Sequence, residues 1–196
     1  MYSLFFGTQT DKSVSSWRRW CLIAAIIPFL SACSSFGGNK KPLPRCPTVF
    51  LLKNANSITY FKPGPIRDIT DILATVAIID FTGECKYNKK RTKANIRLNV
   101  TFDIRRGPAD RQKATGFRYF VAIPKFHPSP NGKSIFPLRA QFQGNQTRVT
   151  LLDEISIEIP MSKNPKVDEY SVFIGLQLTP RQLKYNRSQV DRVLRH

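Results

Sequence analysis

Apolar and polar residues alternate without a break from Ala94 to Ile104. Ala94, Ile96, Leu98, Val100, Phe102 and Ile104 take one set of positions, and Asn95, Arg97, Asn99, Thr101 and Asp103 take the other. On an extended chain this spacing puts the two sets on opposite faces, so one is buried and the other meets water. The same pattern predicts a strand at Phe117–Ile123, with Phe117, Tyr119, Val121 and Ile123 on one face. It predicts another with Ile155, Ile157 and Ile159 inward and Ser156 and Glu158 outward, and one carrying Tyr170, Val172, Ile174, Leu176 and Leu178. Less regular candidates are Val49–Leu52, Ser57–Phe61, Leu73–Phe81 and Ile135–Phe142. Turn signals at Arg106-Gly107-Pro108, Pro130-Asn131-Gly132 and Gly144-Asn145 separate them. Several strands with no β–α–β alternation predict a mainly β fold, an antiparallel Ig-like β-sandwich, and argue against a nucleotide-type α/β sheet.

After residue 178 the period changes. Thr179 is suited to cap a helix and Pro180 to open it. Leu183, Arg187, Val190 and Leu194 then follow at helical spacing, with Arg181, Lys184, Arg192 and Arg195 around them. This predicts a basic, amphipathic C-terminal helix over 179–196. Two roles are open to it: an apolar stripe docked on the sandwich, or a cationic face on a membrane or an acidic partner.

The other end of the chain carries a different signal. Residues 17–33 run from a basic pair, Arg18-Arg19, through an apolar stretch to small residues, the layout of a secretory signal. The apolar run from Trp20 to Leu30 is too short to span a bilayer, which takes roughly 20 apolar residues, and Pro28 interrupts it. It ends in Leu30-Ser31-Ala32-Cys33, which resembles the lipobox of bacterial lipoproteins. The resemblance implies that the Cys33 thiol receives a diacylglyceryl group, that residues 1–32 are removed, and that the new amino terminus is acylated. Ser34, rather than Asp, stands at the second mature position, and the family rule then favours the periplasmic side of the outer membrane. Residues 33–45 would form a flexible tether rich in Ser, Gly and Pro. Lys40 and Lys41 would lie near anionic headgroups.

That address sorts the cysteines. Cys21 leaves with the signal and Cys33 is lipidated, so Cys46 and Cys85 are left as two thiols in an oxidising compartment, where pairing is favoured. Cys85 is expected just after the strand ending near Phe81, and a bond between the two cysteines would pin the first strand, next to the tether, into the sheet. A metal site needs more ligands than two Cys and the distant His127 and His196 supply.

The chain carries 31 Lys+Arg against 13 Asp+Glu, a formal charge of +18, and residues 1–33 account for only +2 of it. The mature part therefore favours anionic surfaces: headgroups, lipid A phosphates or cell-wall polymers. The envelope address removes nucleic acid from the expected partners. Phe117-Arg118-Tyr119-Phe120, with Lys125 and Phe126 nearby, mixes rings and cations. It reads as a strand half core and half solvated, whose cationic face is able to hold an anionic polymer.

No catalytic constellation, metal spacing or phosphate loop stands out, and no cofactor is expected. His127 lies in a Pro-rich loop with no orienting partner in sight. Asp68 with Asp71, and Asp153 with Glu154, read as solvated surface pairs.

Cys46-Pro47, Gly83-Glu84-Cys85, the Phe117–Ile123 strand and Leu178-Thr179-Pro180-Arg181-Gln182-Leu183-Lys184-Tyr185-Asn186-Arg187 resemble small lipoproteins of alphaproteobacteria. That likeness supports the architecture and transfers no site. The resulting expectation is a non-enzymatic envelope lipoprotein with a sandwich over 46–178, binding an anionic envelope component or a protein partner. An accessory subunit of an envelope transport or assembly complex, docked through the terminal helix, is the alternative. An envelope hydrolase is a minor third.

Overall fold

The computed structural model describes residues 45–64, 68–162 and 169–193. The signal segment, Cys33, the tether with Lys40 and Lys41, Leu194 and Arg195 lie outside the described residues. Among the described residues there are eight strands: β1 (Val49–Leu51), β2 (Ser57–Phe61), β3 (Ile72–Tyr87), β4 (Lys93–Arg106), β5 (Ala114–Ala122), β6 (Lys133–Gln141), β7 (Arg148–Pro160) and β8 (Val172–Leu176). One helix, α1 (Pro180–Val193), follows them. The expected mainly β fold is present as two four-stranded sheets, ordered β1-β8-β5-β6 and β2-β3-β4-β7. All pairings are antiparallel except β1 with β8, which run parallel.

The even residues of β4 from Ala94 to Ile104 are buried, as their alternation requires. Phe102 meets Phe117 and Tyr119 of the facing sheet at ring-centroid distances of 5.1 and 5.0 Å, and Tyr119 stacks on Phe136. This aromatic cluster closes the two sheets on each other.

β3 is longer than its sequence pattern suggests. Ala74, Val76 and Ile78 are buried, but the pairing with β4 skips from Ile78 opposite Phe102 to Asp80 opposite Thr101. Ile79 is the extra residue of a β-bulge, and beyond it the inward set moves from even to odd numbers. Phe81, Gly83, Cys85 and Tyr87 then lie opposite Val100, Leu98, Ile96 and Ala94. The strand expected to stop near Phe81 therefore runs on to Tyr87, and Cys85 lies within it.

The Cys46–Cys85 disulfide is present, with a Cα–Cα distance of 6.0 Å. Its role differs from the expected one. β1 belongs to one sheet and β3 to the other, so the bond ties the lead-in to β1 across the sandwich. Gly83 leaves room there: a Cβ on it would come 3.1 Å from Leu98 Cδ2 and 3.7 Å from Val49 Cγ2. The Tyr87 hydroxyl adds a second tie, donating to the Arg45 carbonyl at 2.9 Å.

α1 docks on the domain, and of the expected stripe Leu183 is half-buried, while the side chain of Val190 and all of Leu194 lie outside the described residues. Asn186, 9% exposed, donates from Nδ2 to the carbonyls of Asn54 (3.0 Å) and Ser57 (2.8 Å). Tyr185 meets Phe61 edge-on at 5.3 Å. Arg187, placed by its spacing in the apolar stripe, is exposed instead. Polar Asn186 takes the buried face because the turn Lys53–Ala55 and the start of β2 offer unpaired carbonyls there. No helix among the described residues is long and apolar enough to cross a membrane.

Candidate functional site

The carboxylates that read as surface pairs have structural partners. Asp68 and Asp71 cap a short turn at Ile69–Asp71 reciprocally, and Asp71 also holds Lys62 at 2.6 Å. The Lys62 hydrogen bond, followed by the backbone N–H of Asp68, outweighs burial and lowers the Asp71 pKa. Asp153 is not a solvated neighbour of Glu154. It falls in the inward row of β7, between Leu151 and Ile155, and accepts the fully buried Tyr119 hydroxyl at 2.6 Å. Burial first, then that hydrogen bond and charge, push the Tyr119 phenol far above its usual range. Glu154 points outward and pairs with Arg97 at 3.2 Å. His127 is exposed in the loop after β5. Among the described residues no group of three or more His, Cys, Asp or Glu is placed to hold a metal ion.

The feature with recognition chemistry is a groove of about 500 Å³ where β5 and β8 part company. The cause is local. The Gln177 N–H still donates to the Arg118 carbonyl of β5, at 2.8 Å. Two residues on, the Thr179 N–H turns to the Gln182 side chain (2.8 Å), while the Gln182 N–H returns to the Thr179 hydroxyl (3.3 Å). This reciprocal capping box starts α1 and, with Pro180 lacking an N–H, takes the chain out of the sheet. β5, however, continues back to Ala114.

In an antiparallel ladder the N–H and C=O of one residue point to the same side, and successive residues alternate. Arg118 faces β8 through its carbonyl, so Gly116 and Ala114 face that side too. β8 pairs with β5 no further than Gln177, so among the described residues their backbone groups have no strand partner there. The buried Ile58 and Phe117, with the half-buried Leu138, line the groove with apolar surface, and Tyr60 adds a hydroxyl. Burial raises the Tyr60 pKa against a smaller opposing pull from Arg118, so the phenol stays neutral.

Two arginines also line it. Arg118 sits opposite Pro137, and Arg139 opposite Gly116, so they are diagonal neighbours on one face of the β5–β6 pair. Among the described residues neither makes an ion pair, whereas Arg97, Arg105, Arg106 and Arg148 all do. A Cβ on Gly116 would meet only the Leu138 carbonyl, at 3.9 Å, so the space between them is open. Gln177 Oε1 is buried in the lining with no hydrogen-bond partner among the described residues.

Of the cations proposed from the sequence, Arg181, Lys184 and Arg187 are exposed on α1 and none of these three lines the groove, while the side chain of Arg192 lies outside the described residues. The sequence singles out Arg118 among its aromatic neighbours, but not Tyr60, Arg139 or Gln177. Two signals bear on them: Gly116 within a strand, a mark of close backbone approach, and the Thr179–Gln182 box that ends one strand beside a longer one. Comparison with protein-family models, curated proteins and solved structures finds no match to this chain.

Proposed function

We propose that this protein is a non-enzymatic envelope lipoprotein, anchored through Cys33 at the periplasmic side of the outer membrane. Its basic sandwich binds an anionic envelope component or a protein partner. The observation that carries the reading is the groove: two arginines without carboxylate partners over an apolar floor, in a chain of +18. Arg97, Arg105, Arg106 and Arg148 are neutralised by neighbouring carboxylates, whereas the exposed Arg118 and Arg139 share one concavity with no such partner among the described residues, an arrangement that favours an anionic ligand. The lipobox supports the address. The alternative, an accessory subunit of an envelope complex, draws support from the exposed Arg181, Lys184 and Arg187, which α1 presents away from its own docking contacts.

The test uses the full chain expressed in a bacterium with two membranes, wild type beside Cys33→Ala. Labelled palmitate incorporation and outer-membrane fractionation are expected for the wild type and not for the variant. Mild crosslinking and affinity purification at low and high salt are expected to recover a partner whose retention falls with ionic strength. An unlabelled wild-type protein in the soluble fraction would overturn the anchor, and salt-independent capture would overturn the charge-based binding.

A further inference from the structure

We infer that the groove between β5 and the start of α1 receives an extended, acidic peptide segment, which adds as a short strand to the free edge at Ala114–Gly116 and sets a carboxylate between Arg118 and Arg139. This inference rests on the binding reading above and names the class of partner.

The backbone decides between peptide and polyanion. Ala114 and Gly116 offer alternating N–H and C=O groups along roughly 10 Å of edge, the rise of three residues. A glycan or phospholipid carries no such alternation, whereas a peptide strand does, and strand addition at an open edge is a recurrent mode of recognition. The bound segment occupies the track β8 would have taken had the Thr179–Gln182 box not drawn it away.

Side chains then follow from register. Alternate residues of the added strand point to opposite faces of the sheet. One set reaches the face of Arg118 and Arg139, whose planar guanidinium groups match a carboxylate through paired N–H donors. The other set points inward to Ile58, Phe117 and Leu138, a floor suited to small apolar side chains. Gly116 carries no side chain to fill the space beside Arg139. Gln177 Oε1, buried without a partner among the described residues, is an acceptor for a donor on the incoming segment. The fitting sequence therefore alternates acidic and apolar residues.

The experiment is fluorescence anisotropy with the purified full chain in mild detergent. The probe is a fluorescein-labelled peptide alternating aspartate and valine. Its companions are the same peptide with N-methylated backbone amides, and a lysine–valine peptide. Saturable binding is expected for the first, with at least tenfold loss on N-methylation and none detectable for the cationic peptide. Arg118→Ala and Arg139→Ala are each expected to weaken binding tenfold or more, and Gly116→Val, whose side chain enters open space, to abolish it. Circular dichroism and an intact Cys46–Cys85 bond check that each variant folds, and Arg111→Ala, exposed outside the groove, is expected to bind as wild type. Equal affinity for the N-methylated peptide, or unchanged binding by Gly116→Val, would overturn strand addition. Binding of phosphatidylglycerol vesicles or dextran sulfate, but of no peptide, overturns this inference and leaves the anionic-binding reading standing. Binding of none of these probes overturns both.

Discussion

Tyr119 and Asp153 offer a measurement that tests how the core is held. The phenol is fully buried between the sheets and donates to a carboxylate in the inward row of the edge strand β7. Tyr119→Phe keeps the ring contacts with Phe102 and Phe136 and removes only the hydroxyl. A hydrogen bond to a charged group contributes about 1.5–3 kcal/mol, so that loss is expected. Asp153→Leu alone leaves a buried phenol unpaired, a further case costing about 1–3 kcal/mol. The double variant removes both polar partners together and fills the gap in the apolar row formed by Val149, Leu151 and Ile155. Replacing both is close to neutral in general, so its stability is expected within about 1 kcal/mol of wild type. Urea unfolding of all four proteins gives the coupling, expected at about 3–4 kcal/mol. In thermal unfolding the single variants would lie roughly 4–8 °C below wild type. Additive single effects, with the double variant the least stable of the four, would refute the argument that these groups stabilise the core as a pair.

Other outcomes follow from the same geometry. Cys46→Ser/Cys85→Ser opens a loop of 39 residues and is expected to lower stability by about 4 kcal/mol, read from urea midpoints with and without reductant. Gly107→Ala would put a Cβ 2.0 Å from the Ile72 carbonyl oxygen, where the Gly107 N–H also donates to Leu73; a loss of about 3 kcal/mol or more is expected in thermal unfolding. Acid sensitivity centres on Asp103, 5% exposed beneath Arg105 and Arg148. Burial raises its pKa, but hydrogen bonds from Arg148 and Arg105 outweigh that and leave it lowered. A folded pKa below the unfolded one stabilises the fold above about pH 4 and is lost as pH falls through the folded value. Urea midpoints measured from neutral pH downward should therefore drop below about pH 4, and less steeply in Asp103→Asn.

The elements legible along the chain share one property: their hydrophobic period is unbroken. β4, with every even residue from Ala94 to Ile104 buried, and the inward row of β5 at Phe117, Tyr119 and Val121 need no tertiary context. The helix start at Thr179-Pro180 is equally local. The pattern stops short of the end of β3 because one bulged residue at Ile79 reverses which side chains face inward, and a run of fixed period cannot cross that reversal. Asp153 is misread for a related reason: a carboxylate in a strand reads as solvated unless its partner, Tyr119 at 34 residues' distance, is known. Arg187 fits a helical stripe by spacing, yet the carbonyls of Asn54 and Ser57 draw Asn186 to the buried face instead.

Residue type and near neighbours are enough to specify the mainly β class, the strands with regular alternation, the basic charge and the availability of Cys46 and Cys85 for each other. Long-range packing sets the rest: β1 runs parallel to β8, the disulfide crosses from one sheet's lead-in to the other, and β8 leaves β5 before Gly116. The groove exists because two strands of unequal length lie side by side and a capping box ends the shorter one. Strand adjacency is a long-range choice made by the packing of both sheets, and no local pattern along the chain encodes it.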